Sequence, residues 1–156
     1  LGEMNDPLVT AYFQAFFDLS NFIALMRVRA SDYGKETFER VFVKGGTIER
    51  SVFARALETP DESLLSATLA GEYRDAMAGA FTDYRNTKSL YMFEKARDDY
   101  LLSLLQKQRN DMFGIGPLMG YYIAKQREAA AVRMVMTGKL GGISAETVAA
   151  RMKELY

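Results

Sequence analysis

The chain has 156 residues, with 49% hydrophobic and 26% charged side chains, which are typical proportions of one folded globular domain. It contains no cysteine and no histidine, which excludes thiol nucleophiles, Ser-His-Asp triads and zinc sites of the Cys/His type. Its 20 basic and 20 acidic residues balance, so net charge predicts neither nucleic-acid binding nor recruitment to an anionic membrane. No uninterrupted apolar run is long enough to predict a membrane-spanning segment.

Three prolines mark helix starts, because the first turn of a helix has no partner for the N–H that proline lacks. Pro7 and Pro117 each open a long stretch with helical spacing of apolar residues, and Pro60 lies within the capping-box spacing from Thr59 to Glu62. Strand-type alternation is nearly absent, so the sequence predicts an all-α fold, a multi-helical bundle. The predicted helices are 7–30, 35–42, 48–57, 60–69, 72–84, 87–109, 117–137 and a last one capped by Ser144 that runs to about Glu154. The first is apolar on two sides and is expected to be central.

The sequence repeats itself at an offset of 110 residues without a gap. This predicts that 7–38 and 117–148 are related units of long helix, glycine-bearing turn and short helix within a single all-α unit, 1–156. Such repeats favour a stacked or socket architecture over a catalytic cleft. The aligned pairs include Pro7 and Pro117, Leu8 and Leu118, Tyr12 and Tyr122, and Met26 and Met136.

The candidate chemical motifs are all incomplete. The glycine-rich stretch 114–120 has no preceding strand and the wrong spacing for a dinucleotide loop, and 137–139 is followed by Leu140 where a phosphate loop needs Ser or Thr. Asp98 and Asp99 have no second carboxylate one turn on, so they predict a solvated face of ion pairs. We therefore assign no catalytic, cofactor-binding or metal-binding residue.

Four segments, in this order and spacing, resemble one protein family. They are an Asp, Asn and Arg-bearing helix at 18–30, a Gly-Gly turn at 42–48, an acidic helix with tyrosine at 93–101, and a C-terminal stretch, 114–156, with a Gly-Lys pair and a glycine turn. Together they resemble the C subunit of the archaeal and bacterial V/A-type rotary ATPases, which is the counterpart of the eukaryotic d subunit. Gln126 and Ala131 depart from the family pattern, which commonly has an acid and Asn there. The matching motif residues are Asp18, Asn21, Arg27, Arg29, Gly45, Gly46, Glu128, Arg133, Lys139 and Gly142.

The resemblance implies related helical units that form a funnel in the full-length protein, of which this chain, starting at Leu1 rather than Met, would be about the C-terminal half. It also implies a non-catalytic role in the central stalk, peripheral on the cytoplasmic side of the membrane. There the protein couples the rotating shaft to the proteolipid rotor ring during proton or sodium ion transport, and it takes no cofactor and no nucleic acid. Two alternatives remain from the residues: a helical adaptor or scaffold, and an all-α enzyme that uses carboxylates alone and lacks a paired-carboxylate signal.

Overall fold

The computed structural model describes residues 6–31, 33–107 and 114–152, and within these ranges all regular structure is helical. This confirms the all-α prediction. The eight helices of the described ranges are α1 (Pro7–Ala30), α2 (Lys35–Val41), α3 (Arg50–Ala56), α4 (Asp61–Thr68), α5 (Gly71–Thr87), α6 (Tyr91–Lys107), α7 (Gly116–Leu140) and α8 (Ala145–Arg151).

Helix α1 is the central element, as its two apolar stripes predict. The Asp6 carboxylate caps its start by accepting hydrogen bonds from the backbone N–H groups of Leu8 and Val9 at 2.8 and 3.2 Å. Its middle packs against α6, where the rings of Phe22 and Phe93 meet edge to face with centroids 5.6 Å apart. The core around it takes buried residues from each helix between α1 and α6.

By length and composition α1 is also apolar enough to cross a membrane, with a mean hydropathy of 1.3 in its most apolar window. The sequence prediction of no such segment missed it, because Asp18 and Asn21 interrupt the apolar run. In the fold 44% of that window is buried, and both polar side chains are buried and hydrogen-bonded. These are the features of a core helix.

Several predicted helix boundaries were wrong for local reasons. The capping box at Thr59 does not form: α4 begins at Asp61 without a side-chain cap, and the Thr59 hydroxyl instead donates to the Arg55 carbonyl. Helix α6 begins at Tyr91 rather than 87, because α5 extends to Thr87 and ends where Lys88 takes the left-handed conformation, φ 58°. Helix α8 ends at Arg151 rather than 154. The predicted end of α6 at 109 lies outside the described residues.

Helices α7 and α8 lie at the edge of the core. Helix α7 ends at Leu140 rather than the predicted 137, directly before Gly141 and Gly142. Gly138 lets α8 approach, since a Cβ there would lie 2.6 Å from Val148 Cγ2. Moved by 110 residues, the bounds of α1 and α2 become 117–140 and 145–151, against 116–140 and 145–151 observed for α7 and α8. The superposition of the two units stays a prediction.

Candidate interaction surface

Asp18 and Asn21, two of the motif residues, fasten the segment between α2 and α3 to α1. The backbone N–H and hydroxyl of Thr47 donate to Asp18 Oδ2 at 2.9 and 2.7 Å, and the Ile48 N–H donates to Oδ1 at 3.0 Å. Asn21 Nδ2 donates to the Val43 carbonyl at 2.8 Å, while its Oδ1 accepts the Val43 N–H at 2.9 Å. Both side chains are buried. The segment is therefore held at five points by two buried polar groups whose hydrogen-bonding capacity is used.

The glycine pair of this segment is required by close packing. A Cβ on Gly46 would lie 2.0 Å from Asp18 Oδ1. Gly45 has φ +119°, a conformation that other residues rarely adopt, and a Cβ there would lie 2.8 Å from the Phe17 ring. These glycines let the Asp18 carboxylate reach the backbone N–H groups of 47 and 48.

The two motif arginines at the end of α1 have different roles. Arg29 donates to the carbonyls of Ala56, Leu57 and Thr59 at 2.8–2.9 Å and pairs with Asp61 at 2.7 Å. These contacts join α1 to the turn between α3 and α4, and the Arg29 side chain is only 19% exposed. Arg27 instead makes a surface ion pair with Glu94, and its side chain is 57% exposed.

The motif residues of the C-terminal part lie on the surface instead. Glu128 pairs with Lys125 at 2.8 Å, and both side chains are more than half exposed. Arg133 and Lys139 are exposed along α7, and Gly142 takes φ +66° in the turn that follows it. The structure therefore does not bring the ten motif residues into one site.

A cluster of charged side chains lies between α6 and α7. Arg127 is 8% exposed and reaches Asp99 Oδ1 at 3.3 Å, and Lys95 Nζ lies 2.7 Å from Asp99 Oδ2. Arg97 pairs with Asp98 at 2.8 Å. The two aspartates are about four-fifths buried, so the prediction of ion pairs is confirmed and that of a solvated face is wrong. It failed because a residue from another helix, Arg127, completes the cluster.

This cluster also acts on a tyrosine of α1. Burial, reinforced by the nearby Asp98 carboxylate, raises the pKa of Tyr12. Its phenol therefore stays neutral to a higher pH than the phenol of an exposed tyrosine.

Large apolar residues are exposed in two groups along the side of α7 that faces away from the core, and the exposed Lys125–Glu128 ion pair lies between the two groups. These apolar residues fall within one third of the helix circumference, given 3.6 residues per turn. We call this side the α7 outer face; its apolar residues are Leu118, Tyr121, Tyr122, Val132, Met136 and Leu140, which are 57–87% exposed. Exposed apolar surface of this kind is typical of contact sites for other proteins.

The sequence analysis missed the α7 outer face because α7 carries apolar residues on both sides. The signal that distinguishes them is residue size. Small residues recur every four positions at Gly116, Gly120 and Ala124, and these are buried, whereas the larger apolar residues of the outer face are exposed.

These features define an all-helical protein with a hydrogen-bonded core and an exposed apolar helix face. The chain belongs to the family described as ATP synthase (C/AC39) subunit, which matches residues 1–151.

Relatives in this family carry consistent names. The C subunit of the A-type ATP synthase of Haloferax volcanii is 26% identical over 147 residues, 90% of this chain and 40% of that protein. The C subunit of the V-type sodium ATPase of Enterococcus hirae is 25% identical over 157 residues, 100% of this chain and 47% of that protein. The C subunit of the A-type ATP synthase of Methanocaldococcus jannaschii is 32% identical over 88 residues, 56% of this chain and 22% of that protein. The chain thus spans less than half the length of these relatives. No solved structure matches it.

Proposed function

We propose that this chain is part of a non-catalytic central-stalk subunit of a V/A-type rotary ATPase. The subunit joins the rotating shaft to the membrane rotor ring, on the cytoplasmic side, and so passes torque between ATP chemistry and ion movement. The observation that carries the proposal is the family match over 1–151. The relatives are named both for ATP synthases and for a sodium ATPase, so the proposal covers either direction of rotation and either ion.

The packing of the core supports this role, because a part that transmits torque must resist bending. Helix α1 is joined to the 42–49 segment through Asp18 and Asn21, and to the α3–α4 turn through Arg29. The residues joined by these contacts lie between 22 and 32 positions apart in the sequence. Buried, fully partnered polar groups of this kind hold elements in one arrangement.

The composition supports a mechanical rather than a chemical role. With neither histidine nor cysteine in the chain, the imidazole proton shuttle and the thiol nucleophile are missing. In a rotary machine the nucleotide chemistry belongs to other subunits, and this subunit needs only protein contacts. The α7 outer face supplies apolar contact area for such contacts.

Co-purification tests the proposal. The longer natural protein that contains this chain, tagged and isolated from native membranes in mild detergent, is expected to bring down both the shaft subunits and the proteolipid ring. A tagged peripheral-stalk subunit serves as a control for complex integrity. Recovery of the tagged protein alone, from membranes in which the control retains the complex, would overturn the proposal.

A further inference from the structure

The hydrophobic core of the described chain ends at α6. Its cluster of buried residues runs from Leu19 to Phe93 and includes members from each helix between α1 and α6. Among the buried hydrophobic residues of the described ranges, α7 contributes Ala124 alone and α8 contributes none. Helix α7 has 25 residues, yet hydrophobic burial accounts for little of what holds it in place.

The side of α7 that packs inward is built from small residues. Gly116, Gly120 and Ala124 follow one another at four-residue spacing, and Arg127 completes the buried set on that side. Glycine and alanine remove little apolar area from water, so their docking gains little free energy from the hydrophobic effect. Residues this small leave room for a neighbouring helix to pack closely.

A charged side chain of α7 joins this helix to α6. Arg127 pairs with Asp99 at 3.3 Å and also donates to the backbone carbonyl of Asp98, both on α6. Arg127 is only 8% exposed and so is largely removed from water. Separating it from these partners therefore costs free energy unless water reaches the unpaired charges. The seam between α6 and α7 therefore contains a charged contact that is largely removed from water.

Helix α8 contacts both α7 and α6. Val148 packs into the space left by Gly138 of α7. Towards α6, the Tyr91 hydroxyl donates to the Arg151 carbonyl, and the Arg151 guanidinium lies 5.6 Å from the centre of the Tyr91 ring. Helices α7 and α8 consequently share one boundary with the core.

We propose that α7 and α8 form an arm that opens from the α1–α6 core as a unit, with Arg127 as its latch, while the core stays folded. Regions with few buried apolar contacts open at lower free energy than the core. Opening would expose a cavity of about 340 Å³ at the seam, lined by Tyr12 and Leu101 of the core and by Ile123 and Met134 of the arm. The inference rests on packing and goes beyond the proposed function.

Native-state hydrogen exchange of the unmodified 156-residue chain, measured at increasing denaturant below the unfolding transition, tests this directly. Amides of 118–138 are expected to exchange through openings of lower free energy and weaker denaturant dependence than amides of 19–28. If both segments exchange through one opening with the same denaturant dependence, the arm does not open separately and the proposal is wrong.

The latch is tested with Arg127→Gln and a matched control, Lys125→Gln, which removes an exposed ion pair from the same helix. Arg127→Gln is expected to speed exchange across 118–138 by more than about tenfold, because it removes the charged donor from α7 that reaches Asp99 and the Asp98 carbonyl on α6, and to leave 19–28 unchanged. Lys125→Gln should change neither segment. Equal acceleration of arm and core by Arg127→Gln, or an equal effect of the two variants, would overturn the assignment of the latch.

Discussion

At the scale of single residues, the strongest constraint is the approach of the Gly46 backbone to the Asp18 carboxylate. A side chain at 46 would overlap Asp18 Oδ1, and this oxygen accepts the Ile48 N–H. Either the carboxylate moves and leaves buried donors unpaired, or the segment moves away from α1. Both outcomes cost free energy of folding.

We therefore expect Gly46→Ala to lower the free energy of unfolding by about 1–3 kcal/mol, the usual cost of overpacking a well-packed site. Chemical denaturation followed by circular dichroism measures this. The matched control is Gly79→Ala, in the exposed part of α5 with open space around it. It should raise stability by about 0.5–1 kcal/mol, because alanine is the better helix former. An unchanged free energy of unfolding in Gly46→Ala would contradict the close packing of Gly46 against Asp18.

The two arginines of α1 give a second test of roles that sequence does not distinguish. Arg29→Met removes a guanidinium that serves three carbonyls and Asp61, so we expect a loss of about 2–3 kcal/mol. Arg27→Gln removes an exposed ion pair and should cost less than about 1 kcal/mol. The same denaturation experiment compares the two variants. Equal losses in the free energy of unfolding would show that the buried contacts of Arg29 do not stabilise the fold.

How far the sequence predicted these residues depends on where their partners are. Asp18, Asn21 and Arg29 could be singled out from the family pattern. Their partners lie 22 to 32 residues away, and only the fold brings these residues together. Asp98 and Asp99 were misjudged for the same reason, since Arg127 reaches them from 28 residues or more along the chain. Local spacing carries no information about such contacts.

At the scale of elements, helix identity was predictable and helix ends were less so. Periodic apolar residues after Pro7 located α1, and the cap at Ser144 located α8. The start of α4 was misplaced because the Thr59 hydroxyl donates to the Arg55 carbonyl at the end of α3 and does not accept a backbone N–H at the start of α4. Nothing in the sequence favours one of these hydrogen bonds over the other.

The relation between α1–α2 and α7–α8 gives a prediction at this scale. The turns after α1 and α7 contain two pairs of equivalent backbone hydrogen bonds. The Ser31 N–H donates to the Arg27 carbonyl, as the Gly141 N–H does to the Thr137 carbonyl. The Tyr33 N–H donates to the Val28 carbonyl, as the Ile143 N–H does to the Gly138 carbonyl. In an experimental structure, residues 7–31 and 33–38 are expected to superpose on 117–141 and 143–148, with Tyr12 and Tyr122 equivalent. A different direction of the chain after the turn would mean that the offset of 110 is coincidence.

At the scale of the whole molecule, the proposed role predicts the absence of nucleotide chemistry. Most of the glycine-rich stretch 114–120 lies in the first turns of α7, and 137–139 lie in its last turn rather than in a phosphate loop. Isothermal titration calorimetry of the purified chain with Mg-ATP should therefore give no binding heat, and a phosphate-release assay should give no hydrolysis. Saturable binding of ATP would overturn the mechanical interpretation.

The central claim is that the subunit passes torque between ATP chemistry and ion movement, and coupling is its most direct measure. Complexes assembled with and without the longer natural protein that contains this chain can be reconstituted into vesicles, and ATP hydrolysis and ion uptake measured together. We expect the complex without it to retain ATP hydrolysis by the head but to lose ATP-driven ion uptake, and adding the protein back to restore uptake. Ion uptake at an unchanged ratio to ATP hydrolysis in its absence would contradict the account.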